Sequence, residues 1–177
     1  MRIISGTHKG RVIKPPEGLD LRPTTDFAKE SLFNILNNRI DYKSTNVLDL
    51  FSGTGSISYE FASRGASSVT AVEINQRCVD FIKKAADSYG FANIRAVRAD
   101  SMAFMGFCKV QYELIFADPP FDFNDINSIP EIVFKKKLLC EDGLFILEHS
   151  KSNNFSHLPQ FVEQRNYGKV NFSFFGG

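Results

Sequence analysis

The residues best equipped for chemistry are Asp118, Pro119, Pro120 and Phe121, which follow the apolar run Tyr112-Glu113-Leu114-Ile115-Phe116-Ala117. Two prolines in succession remove two backbone donors and fix φ, so the carbonyls beside them face outward from a stiff loop. The carboxylate of Asp118 and the carbonyl of Pro119 together accept both hydrogens of a planar exocyclic amine. Phe121 offers a face on which a base stacks. An Asp-Pro-Pro sequence is also an ordinary rigid exit from a strand. The chemical reading gains weight only if a second binding site lies beside it.

Residues 47–56, Val-Leu-Asp-Leu-Phe-Ser-Gly-Thr-Gly-Ser, supply such a site. A strand-like run enters a turn of small residues with Gly53 and Gly55, and a helix-compatible run follows at once. Glycine allows positive φ and leaves no Cβ in the way, so a nucleoside lies against bare backbone at a helix N-terminus. Asp49 sits inside the apolar run and needs donors from backbone or ligand. Glu73 ends the next strand, 20 residues beyond Gly53, where a carboxylate accepts both hydroxyls of a ribose or merely precedes a helix. Asp100, followed by Ser101, ends a third strand and either accepts from an adenine amine or caps the following turn. On a parallel sheet these three strand ends converge on one crevice.

The elements that must position them are legible in outline. Strands are expected over 47–51, 69–73, 93–99, 112–117 and 143–149. Helices are expected over 57–62, from Asn75 with Val79, Ile82, Ala86 and Tyr89 on one face, and over 132–139. Residues 122–130 read as a polar loop at the crevice mouth. A last pair over 160–165 and 169–175, with a turn at Asn166-Tyr167-Gly168, finishes the sheet antiparallel. Upstream, Arg22-Pro23-Thr24-Thr25 leads into a helix within 23–40. Before it, 1–22 reads as two short strands about a Gly-bearing turn. That arm carries Arg2, Lys9, Arg11, Lys14 and Arg22 against Glu17 and Asp20, an excess of three positive charges. It is a phosphate-contacting arm or a solvated charged hairpin. The Lys135-Lys136-Lys137 run suits a helix C-terminus.

Composition bounds the class. A chain of 177 residues, 43% hydrophobic and 23% charged, is expected to form one globular domain. No apolar run approaches the ~20 residues of a membrane span, and the start lacks a signal peptide's apolar core, so a cytoplasmic location is expected. Cys78, Cys108 and Cys140 are widely spaced and read as reduced thiols. His8 and His157 are isolated, no metal-ligand spacing occurs, and Glu148 and His149 receive no role.

With these residues in view, the sequence resembles the class I S-adenosylmethionine-dependent methyltransferases, and among them the bacterial RsmD family of 16S rRNA guanine-N2 methyltransferases. The resemblance covers essentially the whole chain. It rests on MRIISGTHKGR, on RPTT followed by ESLFNIL, on VLDLFSGTGS, Glu73, Asp100, DPPF, Leu147-Glu148-His149 and Tyr167-Gly168. Ser52, Thr54 and Phe121 are mild departures from the family's commonest residues. The resemblance implies an α/β, Rossmann-like fold with a seven-stranded, mostly parallel sheet whose last hairpin is antiparallel, over a core of 46–177. It implies S-adenosyl-L-methionine as cofactor, with Asp49, Phe51, Ser52, Gly53, Thr54 and Gly55 at its methionine end. Glu73 and Ile74 would meet its ribose side, and Asp100 and Ser101 its adenine. It implies 16S rRNA as partner, within the small ribosomal subunit or its assembly particle, and a monomer without metal.

Rival readings share parts of this pattern. An NAD-dependent dehydrogenase shares the glycine turn and the acid, but its third glycine position is Ser58 here and it has no use for DPPF. A methyltransferase of DNA adenine N6, of a protein amide or of another rRNA guanine would keep DPPF. A non-catalytic RNA-binding module would explain the arm but not the strand-end acids.

Overall fold

The computed structural model describes residues 1–16, 18, 25–168 and 170–177. Among them, seven strands form one sheet: β1 (Asn46–Leu50), β2 (Ser68–Glu73), β3 (Ile94–Arg98), β4 (Tyr112–Ala117), β5 (Leu139–Ser150), β6 (Phe161–Tyr167) and β7 (Val170–Gly176). Their order is β3-β2-β1-β4-β5-β7-β6. The first five are parallel, and β7 runs antiparallel between β5 and β6. Chain order reverses between β1 and β4, so a crevice opens at their carboxyl ends.

Alternation along the strands sends successive side chains to opposite faces. Val47, Ala71, Phe116, Ile146, Phe172 and Phe174 pack on one face with Leu32, Phe33 and Leu36 of α1 (Asp26–Leu36), Phe61 of α2 (Ser56–Ser63) and Ile82 of α3 (Gln76–Tyr89). Leu48, Leu50, Val72, Ile115, Phe145 and Leu147 pack on the other with Phe104 and Met105 of α4 (Ser101–Phe107) and Ile129 and Val133 of α5 (Ser128–Lys135). Caps set the helix starts. Ala28 N–H donates to Thr25 Oγ1, Arg77 N–H to Asn75 Oδ1 and Ala103 N–H to Asp100 Oδ1.

Three local expectations are corrected. The helix expected over 132–139 lies earlier, because Pro130 falls in its first turn, where no N–H is needed. Lys137 adopts φ 53° just beyond it. Leu139 therefore joins β5 opposite Tyr112, with a register shift before Leu144 pairs with Leu114. The last turn is tighter than 166–168, since Asn166 and Tyr167 still pair with Asn171 and Val170. The expected final strand began at Lys169, which lies outside the described residues.

The amino-terminal arm is not a strand pair. Arg2 and Val12 form a single antiparallel bridge, flanked by Ile3 N–H to Arg11 O and Ile13 N–H to Met1 O, both 2.9 Å. Contacts to α2 hold it instead. Ile4 and Ser5 N–H donate to the two oxygens of buried Glu60, and Thr7 N–H donates to Ser63 O at 2.8 Å. His8 adds to this docking: its ring meets Tyr89 O at 2.8 Å and packs on Phe91.

Gly6 makes this docking possible. It has φ 84°, and a Cβ there would lie 1.9 Å from Ser63 O. Gly6→Ala should therefore unseat the arm and lower the melting temperature by about 3 °C or more. Gly10→Ala, equally left-handed at φ 83° but with no atom within 4 Å of its Cβ, should lose less. Equal melting temperatures and equal protease resistance of the arm in the two variants would refute this account of the docking.

Candidate active site

A cavity of about 740 Å³ opens at the carboxyl ends of β1 and β4. One wall is the turn after β1. Phe51 and Gly53 have φ 58° and 54°, and Gly55 has φ 84°. A phenylalanine in the left-handed region is strained backbone of the kind found at binding sites. Two side chains hold the turn in place. Phe51 N–H donates to Ser101 Oγ at 3.1 Å, and Gly53 N–H donates to Glu73 Oε2 at 2.8 Å. The other oxygen of Glu73 accepts from Asn75 N–H at 2.8 Å. Each oxygen thus takes one backbone donor and keeps acceptor capacity toward the cavity that Glu73 lines.

Asp49 lies at the cavity floor, buried, with Oδ2 accepting from Ser58 Oγ. Burial lifts its carboxyl from the ordinary 3.8 to about 7. The Ser58 hydrogen bond opposes the rise, and the charges of Asp118 and Glu73 add to it. Ser58 occupies the position of the third glycine in a dinucleotide fingerprint. Its side chain fills the gap between α2 and β1 that a glycine would close.

The residues expected at the cofactor and the acceptor amine gather around this space with one exception. Asp49, Phe51, Ser52, Gly53, Thr54, Glu73, Ile74, Asp100 and Ser101 line it, as do Asp118, Pro119, Pro120 and Phe121. Gly55 does not; it is buried beneath the turn as the N-cap of α2. Asp100 is already the cap of α4 through Oδ1, so both readings of this residue bear on one carboxylate. The Asp118 loop is held by Asp118 N–H to Leu50 O at 3.4 Å and Phe123 N–H to Pro120 O at 2.9 Å. Phe121 and Ile74 are more than half exposed.

Sequence reasoning missed Phe27, Tyr167 and Glu148, which line the same cavity. Phe27 and Tyr167 meet edge to face at 6.2 Å, and Phe27 is 66% exposed. An aromatic at an exposed position of a helix first turn was the signal available for Phe27. Buried Lys29 was also missed. Its Nζ donates to Arg2 O at 2.6 Å and Ser56 Oγ at 3.2 Å, and burial lowers its pKa against the pull of Glu60 and Asp26.

The basic residues of the arm do not share one environment. Arg2 and Lys9 line a separate cleft of about 370 Å³ with Glu30, Asn34 and Arg64. Arg2 also pairs with Asp26 at 3.4 Å. The guanidinium of Arg11 lies 5.5 Å over the Tyr89 ring, and Lys14 is exposed. Arg22, with Pro23 and Thr24, lies outside the described residues. Among the described residues, no three His, Cys, Asp or Glu side chains gather as metal ligands would, and no helix is long and apolar enough to cross a membrane.

Comparison with known proteins bears on the family and the fold. Residues 1–176 match the family model described as conserved hypothetical protein 95. The ribosomal RNA small subunit methyltransferase D of Buchnera aphidicola subsp. Baizongia pistaciae is 32% identical over 87% of this chain and 78% of its own. That of Escherichia coli K12 is 29% identical over 90% of this chain and 79% of its own. A solved structure of a hypothetical protein from Thermus thermophilus superposes with a TM-score of 0.86 at 26% identity, covering 99% of this chain and 98% of that one. With the seven-stranded sheet and the cavity at its switch point, these matches establish that the chain belongs to the RsmD family and has the class I methyltransferase fold.

Proposed function

We propose that this protein transfers a methyl group from S-adenosyl-L-methionine to the exocyclic N2 amine of a guanine in 16S rRNA of the small ribosomal subunit. The observation that carries the reading is the shared cavity: the Asp118-Pro119 acceptors and the glycine turn face the same space. The names of the relatives, as rRNA small subunit methyltransferases, favour rRNA over DNA adenine or a protein amide as the acceptor.

The residues fit this cofactor. Glu73 has acceptor capacity toward the cavity and suits two ribose hydroxyls. Ile74 gives an apolar face for a purine, and Asp100 with Ser101 meets its edge. Asp49 and the turn Phe51-Ser52-Gly53-Thr54 suit a charged methionine end. When bound, S-adenosylmethionine supplies an electrophilic methyl group on a sulfonium.

The chain's own contribution is alignment and charge. The lone pair of a guanine N2 is delocalised into the ring. Asp118 and the Pro119 carbonyl, accepting its two hydrogens, favour a pyramidal nitrogen and stabilise the positive charge that grows on it. Holding nitrogen and donor in line supplies several kcal/mol more. A stiff Pro-Pro loop keeps both acceptors in place. Phe121 stacks the extruded base, which must leave its helix to reach the loop. The basic arm, with Lys9, Arg11, Lys14 and Arg22, contacts phosphates.

Asp118→Ala should reduce methyl transfer at least about 100-fold while leaving cofactor affinity, read by calorimetry, within about threefold. Substantial activity in that variant would remove Asp118 from its role.

Asp49 gives a pH signature. Its folded pKa is raised from 3.8 to about 7, so the fold holds a proton that the unfolded chain releases. The stability this contributes is full below about pH 4 and is lost as pH rises through 7. Without cofactor, Asp49→Asn should therefore gain on wild type in melting temperature from pH 5 to pH 8. Wild-type affinity for the cofactor should rise over the same interval as Asp49 ionises, and the variant's should stay flatter. Parallel profiles would contradict the assignment.

Arg2 and residues 3–8 are structural ties, so the arm is best probed at its exposed side chains. Lys9→Ala, Arg11→Ala and Lys14→Ala together should weaken RNA binding and reduce the slope of log K against log salt by about 2. An unchanged slope would count against phosphate contacts by the arm.

A further inference from the structure

The sheet presents a second acid to the cavity beside Asp118. Ala117 pairs with Leu147, the last matched residues of β4 and β5, and Asp118 and Glu148 are the residues that follow them on the two neighbouring chains. Asp118 follows Phe116 by two positions and Glu148 follows Ile146 by two. Ile146 packs on the α1–α2 face, so alternation along β5 turns Glu148 to that face, and Asp118, in the loop just past β4, lines the same cavity. Glu148 is 5% exposed and lines the cavity with Asp118, Pro119 and Phe116. Glu148 pairs with Phe172 of β7 on one side, and the residue before it, Leu147, pairs with β4 on the other. A loop side chain could turn away, but one inside β5 and paired with β7 has its direction set by the pleat. Phe27 and Tyr167 close the same end of the cavity with aromatic rings.

We propose that Glu148 selects guanine by accepting its N1–H, an inference that rests on guanine N2 being the methyl acceptor. Along its Watson–Crick edge guanine presents the N2 amine and, next to it, the N1–H. Asp118 and Pro119 take the amine hydrogens and leave the adjacent donor facing the neighbouring strand. A carboxylate there is matched by a guanine N1–H. It is opposed by the N1 lone pair of adenine or 2-aminopurine, because two acceptors then face each other in a desolvated site. A site built to accept a substrate N–H rejects an analogue lacking it far more strongly than an apolar pocket rejects a change of size. DPPF by itself recognises any amine, so discrimination between bases needs a second contact. Glu148 is placed to make it.

The decisive probe is 2-aminopurine, which keeps the N2 amine and lacks the N1–H. Wild-type protein would first be used to map the methylated base in small-subunit particles assembled on unmodified 16S rRNA. The RNA would then be rebuilt with guanine or 2-aminopurine at that position. For wild type, kcat/KM should fall on the order of 100-fold or more on 2-aminopurine. In Glu148→Gln, whose amide can donate to N1, activity on guanine should fall and the ratio between the two bases should shrink at least tenfold. Cofactor affinity, measured separately, should stay near wild type. A ratio equal to that of wild type would overturn the proposal. Should Glu148→Gln fail to fold, Glu148→Asp keeps the charge with a shorter reach, and an unchanged ratio in that variant overturns it equally. If wild type methylates a base other than guanine, the parent reading fails instead, which the mapping step reveals before any variant is made.

Discussion

A carboxylate removed from water must find donors or give up its charge, and this structure is arranged around where its buried acids find them. Glu73 takes the Gly53 and Asn75 N–H groups and so ties the glycine turn to the start of α3. Asp49 takes the Ser58 hydroxyl and is lifted to a pKa near 7. Glu60 takes two N–H groups of the arm and the Arg64 side chain at 2.8 Å. Remove these acids and the turn, the floor of the cavity and the arm each lose their anchor.

The same constraint joins two regions that look independent along the chain. Lys29 is buried between the arm and α2, donating to Arg2 O and Ser56 Oγ. Glu60 lies on the helix that begins at the glycine turn, and Arg64 caps the end of that helix. Arg64 is nearly buried and lies 4.6 Å over Phe33 of α1. A pull on the arm is therefore felt at the helix whose N-terminus borders the cavity. Lys9, Arg11 and Lys14 are thereby carried on an arm tied to α2 and α1.

The cavity divides into two ends by the chemistry of its lining. Toward β2 and β3 the lining is backbone and acid: Gly53, Glu73, Asp100. Toward β5 and β7 it is aromatic and acid: Phe27, Tyr167, Glu148. Asp118 stands where these ends meet. The antiparallel β7 makes the second end possible. It places Val170 and Phe172 beside β5 and brings the turn at Gly168 back over the cavity.

The sequence by itself determined the parallel strands, the glycine turn and the acids at three strand ends. Those signals are local: alternation, a small-residue turn and an acid at a fixed offset from an apolar run. It also determined the Asp118 loop, because consecutive prolines restrict backbone whatever surrounds them. Only the tertiary structure decided what lay between segments. The contacts of His8 with Tyr89 and Phe91 join segments far apart along the chain. Leu139 looked helical until pairing with Tyr112 drew it into β5. Glu73 read as a ribose acceptor or an acid before a helix, and Ser101 as a cofactor contact, and neither reading included the turn's own N–H groups that they bind. Glu148 was an acid at another strand end with no role. The pairing of Leu147 with Ala117, a property of two strands at once, brings it to the cavity that Asp118 lines, and no periodicity within a single strand carries that information.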